Sequence, residues 1–401
     1  MVAPRPFSLS YRPLPRIFRQ TMNSLEAPPA IFRCWTTVRL LVCLMPVLLG
    51  SACASASDPV SAEIDEIVQS VMAEHRLPSL SVAVARQGRI IYSGAHGLAD
   101  LEHSVPVSAE TVYPVGSVTK AVTAVAAMRL VELGKLNLDA PVRSYCPAFP
   151  EKEHEISVRQ LIAHLGGVRH YDYRRFEEDF LNTKRYGSIE EALSKFAGDP
   201  LVAEPGAKYH YSSWGYVLLG CALQGASGSS YADVIEENVL GPAGMKQTTL
   251  GAAREIIPHR ASGYSLADDG AWVTSVCFDA SDRHPAGGLL GTPSDFVSFG
   301  LALLEGRLLR PDSLDTMWSI QETSTGEPTG AGLGWNISED RTEVFHGGTT
   351  VGATAYLYVR PFDGIVVAFA TNLALWTDGR HELARRLADV VTRTGQSGAG
   401  R

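Results

Sequence analysis

From Ala121 to Leu133 the chain is apolar at almost every position; only Thr123, Arg129 and Glu132 interrupt the run. A helix that is apolar on nearly all sides is buried rather than laid on a surface. Gly116-Ser117 precedes it as a reasonable cap, and Gly134 follows it as a reasonable stop. Other elements read around this one. Ile64, Ile67, Val68 and Val71 share one face of a predicted helix over 62–75. The apolar, β-branched runs 80–85 and 90–92, joined across Gln87-Gly88, predict a hairpin. Residues 343–345, 355–360 and 365–371 predict adjoining strands, with Pro361-Phe362-Asp363-Gly364 as a turn, and a last helix covers about 379–392. Between the two ends, 136 to about 282 mixes short helices with Pro- and Gly-rich loops. This order predicts an α+β fold. One antiparallel sheet is built from both termini and flanked by helices, with a helical insertion subdomain at roughly 136–282. No internal repeat is visible.

Lys120 breaks the pattern. The first turn of a helix carries partial positive charge, and a capping box would place Glu or Gln three residues after the serine. A cation stands there instead, leading into an apolar core. The helix dipole and desolvation both disfavour its charged form and push its pKa down. A residue three positions on shares the helix face, so the amine can reach the Ser117 hydroxyl. A hydroxyl beside such an amine is a nucleophile beside a base. With seven lysines in the chain, a lone Ser-x-x-Lys reads equally well as a cap and a snorkelling side chain, so the motif needs partners.

Composition narrows the classes. Residues 1–57 hold six arginines, one acid and no lysine, a net +5, which leaves −13 on residues 58–401. An acidic body argues against nucleic acid as a partner. Leu40 to Leu49 is a ten-residue apolar run behind Arg39, too short to span a bilayer and followed by small residues. Residues 1–57 therefore read as a secretory signal with Met22 as a start. The protein is expected to be exported, periplasmic or lipid-anchored to the envelope through Cys53; a mitochondrial presequence is the alternative. Cys146, Cys221 and Cys277 are scattered and suggest neither a disulfide framework nor a metal pair. There is no His-Glu-x-x-His and no Gly-x-Ser-x-Gly, so zinc hydrolysis and an α/β-hydrolase layout are not expected, nor is any metal or cofactor.

Ser117-x-x-Lys120 in this layout resembles the serine β-lactamase and penicillin-binding-protein superfamily, in its class C-like branch. Pro205 to Tyr216 matches the context of that family's Tyr-x-Asn motif, with Tyr211 as the tyrosine. His346-Gly347-Gly348 fits the third motif, Lys or His-x-Gly, on a strand lining the site. Gly287-Gly288-Leu289 to Asp295 and Gly332 to Trp335 also stand where that branch has such segments. Within it the chain is most like the mitochondrial serine β-lactamase-like proteins and their bacterial relatives. The segments 138–142, 149–153 and 164–171, and a Tyr-Ser-Ser in place of Tyr-x-Asn, carry that likeness.

The resemblance implies a β-lactamase/transpeptidase-like domain over 58–401. Its reaction would be hydrolysis through an acyl-enzyme: Ser117 attacks, and Lys120 and Tyr211 share the proton traffic. It also implies an oxyanion hole from the backbone N–H groups of Ser117 and Thr349, with His346, Gly348 and Ser213 on the substrate side. His164 and His170 are expected to organise a loop below the site. Two departures point the substrate towards small peptides, esters or amides rather than β-lactams. Ser213 is shorter than the usual Asn, and His346 is mostly neutral where a lysine would be a permanent cation. A true β-lactamase or a D-Ala-D-Ala carboxypeptidase is the alternative within the family. A non-catalytic module that binds peptides or self-assembles on the same fold is the alternative outside enzymology.

Overall fold

The computed structural model describes residues 58–251 and 253–397; the signal reading and Cys53 lie outside the described residues. Helix α1 (Pro59–His75) leads into β1 (Ser79–Arg86) and β2 (Arg89–Asp100), joined by a tight turn in which Gln87 (φ +49°) and Gly88 (φ +80°) both take left-handed backbone. That is the turn geometry whose twist matches a hairpin. A short β3 (Val105–Pro106) follows β2, and α2 (Thr119–Glu132) is the apolar helix. In the second half come α3 (Ser213–Ser227), α4 (Pro293–Leu304), β4 (Asn336–Ile337), β5 (Val344–Thr350), β6 (Ala353–Arg360), β7 (Ile365–Thr371) and α5 (Arg380–Ser397).

The strands form one seven-stranded antiparallel sheet in the order β3-β2-β1-β7-β6-β5-β4, so the first long strand pairs with the last. In the centre Val84 faces Val367, and β6 and β7 are buried on both faces apart from Arg360. Helices α1 and α5 cover one face, where Ile64, Val68, Leu383 and Leu387 pack with Val82, Val84 and Phe369. Helix α4 and the larger core around α2 and α3 cover the other. The α+β architecture with a sheet built from both ends is thus observed. Asn372 ties those ends together: its side chain accepts from Ser79 Oγ (2.6 Å) and donates to the Leu98 and Ser262 carbonyls (3.0 Å each).

One expectation is overturned. Cys146 and Cys221 form a disulfide, their Cα atoms 5.5 Å apart. The bond crosses 75 residues, from the loop after a short turn at Val142–Ser144 to the middle of α3. One turn further along α3, a side chain at Gly225 would overlap the Tyr145 carbonyl, so this glycine lets the loop backbone lie on the helix. Cysteine spacing alone carries no trace of that approach. We expect an unreduced tryptic digest to contain a Cys146–Cys221 linked peptide, and reduction to cost about 2–4 kcal/mol in urea unfolding. A linked peptide absent from oxidised protein would overturn the pairing.

Candidate active site

The site begins at a turn of 3-10 helix over Gly116–Val118 that runs into α2. The expected serine cap is not there: neither stretch carries a side-chain cap bond. Gly116 instead has φ +51°, a conformation that a Cβ disfavours. The cause lies in packing, because β5 presses its backbone onto the turn. A Cβ on Gly116 would stand 2.9 Å from Thr349 N, and one on Gly348 would overlap the Val115 carbonyl and stand 3.0 Å from Ser117 N. Both positions require glycine for this close approach. The backbones of Ser117 and Thr349 are thereby brought together.

Released from capping, the partly exposed Ser117 turns its hydroxyl to Lys120, whose Nζ donates across 3.1 Å to Oγ. The same Nζ donates to the Ala286 carbonyl at 2.6 Å. Lys120 is 0% exposed, so the amine sits behind the hydroxyl and away from water. Burial pushes its pKa well below the usual lysine value, and the charge of Arg283 pushes the same way. Helix α2 is buried from Thr119 to Met128, as its apolar pattern requires.

Aromatic rings wall the amine. Nζ lies 5.0 Å from the Tyr211 ring centroid and 5.6 Å from that of Tyr216. Tyr211 is in turn clamped by two histidines, with His164 4.4 Å away in a tilted stack and His170 edge-on at 5.3 Å. His164 Nδ1 accepts from the Ser212 N–H and His170 Nδ1 from the Ser213 N–H, both at 3.1 Å. An accepting Nδ1 places the neutral ring's proton on Nε2. Burial holds both imidazoles uncharged: His170 falls to about 3 and His164 moves well below the usual value, with the Lys120 charge as the next cause. These histidines position the Tyr211 loop, as expected. Ser212 caps α3, accepting from Gly215 N (2.9 Å) and donating to the Arg169 carbonyl (2.7 Å); Ser213 is buried in the helix's first turn.

On the opposite side, β5 carries His346 buried, with its Nδ1 donating to the Gly347 carbonyl at 2.8 Å. Burial, then the Lys120 charge, lowers its pKa to about 3, so it is neutral as the sequence suggests. The structure therefore groups Ser117, Lys120, Tyr211, His346 and the backbones of Gly348 and Thr349; Ser213 stands in the wall behind them. Among the described residues no cluster suits a metal ion.

Two features were not legible. One is the Ala286 carbonyl, since a backbone acceptor leaves no side-chain signature. The other is Arg283, which is 4% exposed and bonds Asp282 twice (2.6 and 2.8 Å) and the Asp179 carbonyl (2.9 Å). Lys195 also pairs with Asp282 at 2.7 Å, so two cations share this one carboxylate. An Asp-Arg pair in sequence ordinarily marks a solvated loop.

A family model described as Beta-lactamase matches residues 64–392, well over half of the chain. The chain belongs to the β-lactamase family. It is thus a member of a family of serine hydrolases. The human mitochondrial serine beta-lactamase-like protein LACTB is 27% identical over 390 residues, covering 74% of this chain and 71% of the relative. Protein flp of Staphylococcus aureus (strain MW2) is 26% identical over 323 residues, 78% of this chain and 63% of that one. The octameric penicillin-binding protein homologue from Pyrococcus abyssi superposes with a TM-score of 0.68 at 26% identity, over 83% of this chain and 77% of that one.

Stability should report the state of the amine in this β-lactamase-family site. Lys120 holds its proton less tightly folded than unfolded. Between the folded value and the unfolded value near 10.5, the unfolded chain binds more protons, so stability rises with pH. The contribution is at most about 1.4 kcal/mol per pH unit. Lys120→Met removes it. In urea unfolding between about pH 7 and about pH 9, we expect the original chain to gain on the variant as pH rises; parallel curves would mean a charged amine in the fold.

Proposed function

We propose that the chain hydrolyses peptide, ester or amide bonds through an acyl-enzyme on Ser117. The observation that carries this reading is the buried amine. One N–H of Lys120 is committed to the Ala286 carbonyl, and its pKa is depressed, so a lone pair is available to the hydroxyl 3.1 Å away. A binding module has no use for a desolvated lysine beside a serine, which costs stability.

In this mechanism Ser117 Oγ forms a bond to the acyl carbon and its proton passes to Lys120 Nζ. The carbonyl oxygen becomes an oxyanion held by the N–H groups of Ser117 and Thr349, each worth about 2.7–4 kcal/mol of barrier. Collapse breaks the bond to the leaving group, which takes the proton through Lys120 and Tyr211. Water then attacks the acyl carbon with the same groups as base, restoring the Ser117 hydroxyl. From His346 to Thr350 no described strand pairs with the outer edge of β5, whose partner there, β4, reaches only Val344 and Phe345. An open edge supports an extended, amide-containing substrate. His346 supplies no permanent charge, which supports small peptides, esters and amides over β-lactams.

The disulfide supports an oxidising compartment, and so export over a reducing one.

The test is covalent. A fluorophosphonate probe should label the chain and not Ser117→Ala. Lys120→Met should lose about a thousandfold or more of activated-ester turnover, and Tyr211→Phe about ten- to a thousandfold. Labelling that persists in Ser117→Ala would sink the assignment.

A further inference from the structure

When Lys120 takes the proton of Ser117, a full positive charge appears on a nitrogen that water does not reach. Among the described residues no carboxylate pairs with that amine, and the charge of Arg283 acts against it. Two oxygens accept from it, Ser117 Oγ at 3.1 Å and the Ala286 carbonyl at 2.6 Å. Beyond these the amine faces rings. A desolvated cation so poorly provided with anions is costly, so the step needs stabilisation from another kind of group.

Tyr216 is the ring that the mechanism does not use. It lies near the start of α3, is fully buried, and has Nζ over its ring with the centroid 5.6 Å away. Its hydroxyl is turned elsewhere. It donates to the Ile162 carbonyl at 2.9 Å, and burial pushes the phenol well above its usual pKa. Proton transfer therefore does not fall to Tyr216, and what it offers the amine is the ring. That ring is held in place: His164 packs on it at 5.1 Å in a tilted stack. Gly334 (φ +83°) also brings backbone in closely. A Cβ there would overlap the Ala124 methyl and stand 3.1 Å from the Tyr216 hydroxyl and 3.4 Å from the Lys120 carbonyl. The segment Gly332 to Trp335 thus packs on Tyr216 and on the Lys120 turn together.

We propose that Tyr216 is a positioning residue whose ring face holds the ammonium that Lys120 becomes during attack. The inference rests on the acyl-enzyme reading above. As Ser117 Oγ bonds the acyl carbon, its proton moves to Nζ; negative charge goes to the carbonyl oxygen and positive charge to Nζ. A π face attracts a cation and does little for a neutral amine, so its contribution arises together with the charge. In a dry site that attraction stands at the upper end of its range. Tyr211 turns its ring to the same amine at 5.0 Å, which makes a two-ring cage. Tyr211 also carries protons in the proposed mechanism, so Tyr216 is where the effect of the face can be isolated.

Phenylalanine analogues at position 216 of the full chain separate the face from the packing. Tyr216→Phe, which drops the hydroxyl and keeps the ring, is the reference. The 4-fluoro, 3,5-difluoro and 3,4,5-trifluoro analogues then weaken the face at nearly constant shape. Activated-ester kcat/KM is read across pH. We expect its plateau to fall stepwise with fluorination, to about three- to tenfold below the reference for the trifluoro analogue. The acid limb should move to lower pH by up to about one unit, because a weaker face favours the protonated Lys120 less. Other groups facing the amine leave this readout clear. Burial keeps His164, His170 and His346 neutral, Arg283 holds its charge, and Tyr211 is common to the whole series. Equal plateaus, a fall without a shift of the acid limb, or a shift to higher pH would each overturn the proposal and leave Tyr216 as packing. In all three cases fluorophosphonate labelling of Ser117 would persist, leaving the acyl-enzyme reading intact. Loss of labelling in the original chain would remove that reading, and this inference with it.

Discussion

An amine kept out of water one helical turn beyond a hydroxyl is the constraint on which the rest of the structure depends. Burial alone would leave Lys120 as an unsatisfied polar group in an apolar core. The Ala286 carbonyl satisfies one of its hydrogens and leaves the nitrogen aimed at Ser117. That carbonyl belongs to the segment following Arg283, and the neighbouring Pro285 carbonyl accepts from Thr123 Oγ1 at 2.7 Å, again from α2. Two successive carbonyls thus take two of the three buried polar side chains on that part of the helix, and the third, Thr119, accepts from Leu289 N at 3.2 Å. Position and polarity are solved by one strap of backbone.

The sheet's topology serves the same place. Because β1 pairs with β7, strands from both ends of the chain close into one sheet, and β5 lies near its far edge with its outer side open beyond Phe345. This edge meets the turn before α2 through glycines: Gly116 with its positive φ and Gly348 with no room for a Cβ. The arrangement that would disfavour any other residue is what brings the Ser117 and Thr349 peptide groups side by side. A backbone pair held this way by packing is set in advance, which is what the proposed oxyanion hole requires.

Much of this was legible in the chain, for identifiable reasons. The all-round apolar run of 121–133 fixes a buried helix, Gln87-Gly88 and Pro361 to Gly364 fix turns, and period and β-branching place the strands. Lys120 stood out because it violates the helix-terminus rule, and Tyr211 and His346 because the resemblance carries them. What was not legible depends on approach in space. The Cys146–Cys221 bond needs the loop to lie on α3; the uncapped start of α2 needs β5 to press on Gly116; the Arg380–Thr349 hydrogen bond needs α5 to begin beside β5. Pattern reasoning sees one element at a time, and these features each belong to two.

The electrostatic surroundings of Lys120 complete the argument. A carboxylate beside the amine would hold its proton and leave no lone pair. The charges that act on Lys120 and its neighbours are of the opposite kind: Arg283 disfavours the ammonium, and His164, His170 and His346 are kept neutral by burial. The carboxylate nearest in sequence to this region, Asp282, is consumed by Arg283 and Lys195. So among the described residues the interior places no free anion near the amine, at a cost in stability that packing elsewhere must offset.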